Sequence, residues 1–123
     1  MAQIVTITFN PTIDKSTSID ALIPEKKLRC SEPVFEPGGG GINVSRAIKK
    51  LGGDSLAIYP AGGHTGKFLQ QLLHSENINT QVVETSGFTR ENLIVLDRSA
   101  NHQYRFGMPG SPLSDNEWRA CLQ

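Results

Sequence analysis

The chain has 123 residues, 37% apolar and 20% charged, and its 12 Lys and Arg balance 12 Asp and Glu to a formal net charge of zero. That composition fits one soluble domain with a real core, and it offers no basic face for nucleic acid and no charged tail, so a small ligand is the expected partner. No apolar run approaches the ~20 residues that cross a bilayer, and MAQIVTITFN lacks the basic-then-apolar layout of a signal peptide, so the protein reads as cytoplasmic with no membrane partner. Cys30 and Cys121 lie far apart, with no CxxC and no His at ligand spacing. Neither a disulfide framework nor a zinc site is expected, and both cysteines read as reduced packing residues.

In chain order, Ile4 to Phe9 (IVTITF) is a β-branched and aromatic run ending at Asn10-Pro11, which predicts a buried central strand and a turn. Residues 15–20 (KSTSID) and 27–36 (KLRCSEPVFE) alternate more weakly and predict strands of an appended sheet, the second at an edge or bulge because Pro33 lacks a donor. After the glycines at 38–41, Val44, Ala47, Ile48 and Leu51 fall at i, i+3, i+4 and i+7, with Ser45, Arg46, Lys49 and Lys50 facing away. A helix is therefore expected directly after the glycines, stopped by Gly52-Gly53. Leu56 to Tyr59 predicts a second core strand, Phe68, Leu69, Leu72 and Leu73 a second amphipathic helix ending near Asn77, and Thr80 to Thr85 a third strand.

Glu91 to Asp97 and His102 to Phe106 are separated by Arg98-Ser99-Ala100-Asn101, a polar loop of hairpin length, and predict an antiparallel pair. Tyr104 and Phe106 share one face of it, Gln103 and Arg105 the other. Ser114 and Glu117 form a capping box opening a last helix, with Trp118, Cys121 and Leu122 on its apolar stripe. That short helix reads as cut, and the chain as the N-terminal part of a longer protein. The alternation predicts an α/β core with a parallel sheet, and the extra short strands a small sheet standing off it.

Four consecutive glycines are costly to order, so a compact domain keeps them for a reason. Placed before a helix, they let a ligand approach the main chain, where free N–H groups and the helix dipole favour oxygen atoms. The loop does not fit G-x-G-x-x-G, because Asn43 occupies the last position, and the preceding segment is not the first core strand. AGGHTGKF at 61–68 is not a Walker A loop either, since Ala61 and Phe68 stand where its first glycine and its Ser or Thr belong. A nucleotide-binding domain of those types is disfavoured.

Five stretches in order, TFNPTIDKS, PGGGGINVSRAIKKLGG, PAGGHTGKF, TREN at 89–92 and YRFGMPG at 104–110, resemble the PfkB family of sugar kinases, with its ribokinase-like fold. Among its branches the closest resemblance is to the bacterial minor 6-phosphofructokinases, and it covers essentially the whole chain. It implies that residues 1–123 form the N-terminal part of an α/β, ribokinase-like parallel-sheet core with a small β-sheet lid, from strands in 15–36 and 88–107. The ATP pocket and the catalytic aspartate then belong to a C-terminal half outside this chain. The implied reaction is ATP-dependent phosphorylation of fructose 6-phosphate to fructose 1,6-bisphosphate, with ATP and Mg²⁺ as cofactors of the whole enzyme and none bound by this part, which alone is inactive. Tagatose 6-phosphate or fructose 1-phosphate kinase, and a β-clasp dimerisation module without catalysis, stay open as alternatives.

Residue by residue, the resemblance places Asp14 on sugar hydroxyls, Gly39 and Gly40 where sugar oxygens approach the main chain, Asn43 on a further hydroxyl and Arg90 on the substrate's phosphate. Lys27 and Arg105 are further cationic contacts from the lid, across a homodimer in one arrangement. No catalytic residue and no metal ligand is expected in this chain, and His64, His74 and His102 carry no chemistry. Each assignment has a plainer rival. Asp14 also suits a turn, the glycines a flexible loop, Asn43 the first turn of a helix, and Arg90, Lys27 and Arg105 solvated charges.

Overall fold

The chain alternates between two sheets. The computed structural model describes residues 3–123; Met1 and Ala2, which open the stretch compared with a signal peptide, lie outside them. The elements run β1 (Val5–Ile7), β2 (Thr12–Ile19), β3 (Val34–Gly38), α1 (Gly40–Lys50), β4 (Leu56–Ala61), α2 (Gly63–Ser75), β5 (Asn79–Glu84), β6 (Arg90–Asp97), β7 (His102–Phe106) and α3 (Asp115–Ala120). Strands β1-β4-β5 make a parallel sheet, and β3-β2-β6-β7 make a second sheet in which β2 and β6 alone run parallel. The expected α/β core with an appended sheet is present.

Ala57, Tyr59 and Ala61 alternate along β4 toward a core built with Ile42 of α1, Leu69 and Leu73 of α2, Ile78 and Ile13. Both helices thus cover one face of the parallel sheet. Ile13 joins that core from β2, and Phe35 of β3 meets Phe68 of α2 edge-on with ring centroids 5.2 Å apart, so the second sheet is anchored to the first. Arg46 adds a polar tie: it donates to Glu76 Oε1 at 2.8 Å and to the Pro37 carbonyl at 3.0 Å, immediately before the glycines.

The structure corrects the sequence reading in five places. Among the described residues the first strand is an edge, not a central strand: β1 pairs only with β4 there, and Val5 and Ile7 are 46% and 38% exposed, with the helices packed on the opposite face. The strand expected at 15–20 begins at Thr12, and the one expected at 27–36 is confined to Val34–Gly38, an edge strand that tolerates Pro37. The inward face of α1 is rotated. Ser45, expected outside, is 1% exposed, while Val44 and Leu51, expected inside, are 51% and 88% exposed. Ser45 Oγ is buried because it is bonded to Thr6 Oγ1 at 2.6 Å and Ser55 Oγ at 2.8 Å, hydroxyl partners that a pattern of apolar residues does not reveal. Arg46 likewise turns inward to its carbonyl and carboxylate. Cys30 is exposed rather than packed, and only Cys121 is buried; both are free.

The remaining elements fall where expected, with ends shifted by one or two residues. The β6–β7 hairpin pairs Val95 with Tyr104 and Leu93 with Phe106, and Ser114 and Glu117 form the reciprocal capping box of α3. Among the described residues no helix is long and apolar enough to cross a membrane.

Candidate functional site

Strand register lays out the site. In β2 and β6, Thr12 lies opposite Arg90 and Asp14 opposite Asn92, and the period of two puts all four on one face. Arg105 reaches the same face from β7, opposite Ile94. The N-terminus of α1 closes the other wall with Gly39, Gly40 and Asn43. The enclosed cleft measures about 270 Å³, near the ~300 Å³ lower end of small-ligand pockets.

The glycines have separate duties. Gly39, the residue before the first helical turn, has φ 123° and ψ 150°, a region open in practice only to glycine. Gly38 lies under the Asp14 carboxylate, and a Cβ there would stand 2.5 Å from Asp14 Oδ2, so any side chain would displace the acid. Thr8 Oγ1 accepts the Ile42 N–H at 2.9 Å, and the Asn43 N–H goes to the Gly39 carbonyl at 2.8 Å. The N–H groups of Gly40 and Gly41 make no such bond among the described residues, so the positive end of α1 presents two donors beside the cleft.

Arg90 is held from several sides. Its NH1 donates to the Met108 carbonyl at 3.2 Å and its NH2 to the Asn10 carbonyl at 3.0 Å, while its buried Nε has no partner among the described residues. The adjacent Thr89 is 9% exposed and reciprocally bonded to Gly62: Gly62 N–H donates to Thr89 Oγ1, and Thr89 N–H to the Gly62 carbonyl. Thr65 Oγ1 donates to the Thr89 carbonyl at 2.7 Å. The AGGHTGKF stretch is therefore a brace that seats Arg90 through the start of α2. A larger hollow of about 510 Å³ lies beside that brace, lined by His64, Lys67, Gln70 and Glu84. It gathers α2 and the ends of β4 and β5, and none of the seven residues expected from the sequence to contact a ligand.

Six of the seven sequence-derived candidates, Asp14, Gly39, Gly40, Asn43, Arg90 and Arg105, line the one cleft. Lys27 does not: it is exposed in the irregular segment between β2 and β3. Three contributors escaped the sequence reading. Thr12 and Asn92 carried a usable signal, each lying two residues along its strand from a candidate, whereas the capping by Thr8 comes from the residue just past β1 and leaves no local mark. Among the described residues no group of three or more His, Cys, Asp or Glu could hold a metal ion.

With this geometry, comparison with known proteins is informative. The model of the pfkB family carbohydrate kinases matches residues 5–122, and the chain belongs to that family. It is 51% identical to ATP-dependent 6-phosphofructokinase isozyme 2 of Escherichia coli (strain K12) over 119 residues, 97% of this chain and 38% of that protein. The corresponding isozyme of Mycobacterium tuberculosis (strain ATCC 25618 / H37Rv) is 43% identical over 120 residues, 98% of this chain and 35% of that protein. The crystal structure of phosphofructokinase-2 from Escherichia coli in complex with fructose-6-phosphate superposes with a TM-score of 0.92 at 50% identity, over 98% of this chain and 40% of that one. The chain thus spans 35% to 40% of the length of these relatives.

Proposed function

We propose that this chain is the sugar-phosphate-binding part of an ATP-dependent 6-phosphofructokinase. The observation that carries the reading is the convergence of Asp14, Gly39, Gly40, Asn43, Arg90 and Arg105, from four elements and one loop residue, on a single cleft. The chemistry is complementary to a phosphorylated ketose. Asp14 accepts hydrogen bonds from neighbouring hydroxyls, the main-chain donors and Asn43 read further oxygens, and the guanidinium groups of Arg90 and Arg105 attract the phosphate. Fructose 6-phosphate is the favoured ligand, in keeping with what the Escherichia coli relative binds; tagatose 6-phosphate and fructose 1-phosphate are the alternatives.

In the reaction these residues bind and orient the sugar so that one hydroxyl faces the incoming phosphoryl group, and positioning is the main contribution a protein makes to phosphoryl transfer. In the whole protein ATP would supply that group, and Mg²⁺ would offset its charge. The cleft, with one carboxylate, amides and two guanidinium groups, suits a sugar phosphate and does not suit a nucleotide with its metal. Those partners belong to residues outside this chain, which by itself transfers no phosphate. The protein translated from the complete reading frame, assayed with ATP and fructose 6-phosphate, tests the reading. Turnover that an Asp14→Ala variant loses chiefly through a raised KM is expected, and no turnover with any ketose phosphate would sink it.

A second reading, compatible with the first, is a homodimer through the lid sheet. Leu22, Ile23, Val34 and Phe106 of the lid region are 44%, 42%, 55% and 48% exposed, more apolar surface than a lone sheet usually leaves in water. Lys27, four residues beyond Ile23, would then reach the partner's cleft. Sedimentation of parent and Ile23→Asp protein is the check, and a parent that stays monomeric at high concentration removes this reading.

A further inference from the structure

Arg90 opens β6 and so belongs to the lid sheet, yet the residue before it is bonded to the start of α2, whose Leu69 and Leu73 lie in the core under the parallel sheet. All three polar groups of Thr89 are engaged there. Its N–H donates to the Gly62 carbonyl at 3.1 Å, its Oγ1 accepts the Gly62 N–H at 3.2 Å, and its carbonyl accepts the Thr65 hydroxyl at 2.7 Å. The segment leading from β5 docks on the same stretch, where the Thr85 N–H donates to the Ala61 carbonyl at 3.1 Å. Small residues permit the approach: a Cβ on Gly62 would run into the Gly87 carbonyl, and one on Gly66 would stand 3.2 Å from Thr89 Oγ1.

The bond from Thr65 differs from the others in what it depends on. Gly62 acts through main-chain groups, which persist whatever side chain stands nearby, whereas the third bond rests on a single hydroxyl. Among the described residues Thr65 lines neither the cleft nor the larger hollow, so the hydroxyl is not placed to meet a ligand in either. What it holds is the peptide that leads into Arg90. A peptide unit is planar from one Cα to the next, so fixing the Thr89 carbonyl fixes the direction in which the Arg90 Cα leaves it. The tip of Arg90 is tied to the Asn10 and Met108 carbonyls. Thr65 secures its root.

We infer that Thr65 is a positioning residue of this site: its hydroxyl ties the Thr89–Arg90 peptide to the first turn of α2 and so sets where the guanidinium stands relative to the glycine loop. The inference rests on the sugar-phosphate reading and extends it to a side chain that never touches the ligand. A ligand held at both ends needs the spacing between its two anchors set in advance, and slack at either anchor lowers affinity.

The test is calorimetric titration of the 123-residue chain and its Thr65→Val and Thr65→Ser variants with fructose 6-phosphate, with urea unfolding of each to establish that it is folded under the titration conditions. Valine keeps the shape and removes the donor, while serine keeps the donor and drops a methyl. The expected result is a Kd raised about tenfold in Thr65→Val and by less than about threefold in Thr65→Ser. That rescue is what a general loosening of the helix would not give. Should Thr65→Val not fold, Thr65→Ala, a better helix former, takes its place with the same expectation. Parent affinity in the variant that lacks the hydroxyl overturns the inference, and so does equal weakening with and without it, which assigns the effect to packing. No saturable binding by the parent chain removes the sugar-phosphate reading and takes the inference with it.

Discussion

Replacing Gly39 by alanine tests how the glycine loop is built, because the structure resolves the cost into two parts. The first is backbone strain: at φ 123° and ψ 150° a residue with a Cβ is held at a cost of about 1–3 kcal/mol. The second is contact, since the added Cβ would stand 2.6 Å from Thr8 Cγ2 and 3.3 Å from Pro11 Cα. Making room in a packed site costs about 1–3 kcal/mol, and Thr8 is not free to yield because its Oγ1 holds the Ile42 N–H. The sum expected for Gly39→Ala is about 2–6 kcal/mol, a large share of the ~5–15 kcal/mol that stabilises a typical domain. Thr8→Ser removes the colliding methyl and keeps the hydroxyl, so in that background Gly39→Ala should cost only the backbone part, about 2 kcal/mol. Urea unfolding of the four proteins, followed by circular dichroism, measures both terms. A cost under about 1 kcal/mol, or the same cost in both backgrounds, would refute this account of the loop.

Other expectations follow from buried polar groups. Tyr59 is 0% exposed and its hydroxyl has no partner in hydrogen-bond geometry among the described residues, so Tyr59→Phe should leave stability unchanged or raise it by about 1 kcal/mol, and thermal melts would reveal a loss instead. Burial pushes the Tyr59 phenol up to about 12, against a smaller opposing effect of the Thr80 hydroxyl. The folded state therefore keeps a proton that the unfolded state gives up, and stability should fall from about pH 10 upward, with the Tyr59 phenolate absorbance in a Tyr104→Phe background appearing only near the higher value. Ser45→Ala leaves the buried Thr6 and Ser55 hydroxyls short of a partner and should cost about 1–3 kcal/mol by chemical denaturation; a neutral result would deny the network its role. The Asp97 carboxyl is held below its usual range chiefly by the Ser99 hydroxyl, with the Leu22, Ser99 and Ala100 N–H groups adding to it against burial. Its contribution is thus complete above the ordinary carboxylate range and lost as pH falls through the lower folded value, so Asp97→Asn should flatten acid unfolding below about pH 4. An unchanged acid limb would contradict this.

Much of the fold was legible because the periodicities are strong and the stop signals local: the existence of α1 at the glycines, though not its inward face, the α2 stripe at Leu69 and Leu73, and the hairpin around Arg98 to Asn101 appear as read. The site was legible for a different reason. Asp14, the glycines, Asn43, Arg90 and Arg105 sit in short motifs whose order, not whose individual chemistry, carries the resemblance. What escaped depends on contacts between distant segments. The burial of Ser45 needs Thr6, 39 positions away, and the bond from the Met108 N–H to Asn92 Oδ1 spans 16. The exposed face of β1 reflects which side of the sheet the helices occupy, which no pattern within five residues encodes.

The central claim is that the cleft between the glycine loop and the lid sheet receives a phosphorylated ketose. Isothermal titration of the 123-residue chain with fructose 6-phosphate, beside fructose and inorganic phosphate as controls and Asp14→Ala as the variant, tests it most directly. The account predicts saturable one-site binding of fructose 6-phosphate, weaker or absent binding of either half of the ligand, and loss of binding in the variant. No saturable heat with fructose 6-phosphate, or an equal response from the Asp14→Ala protein, would contradict it.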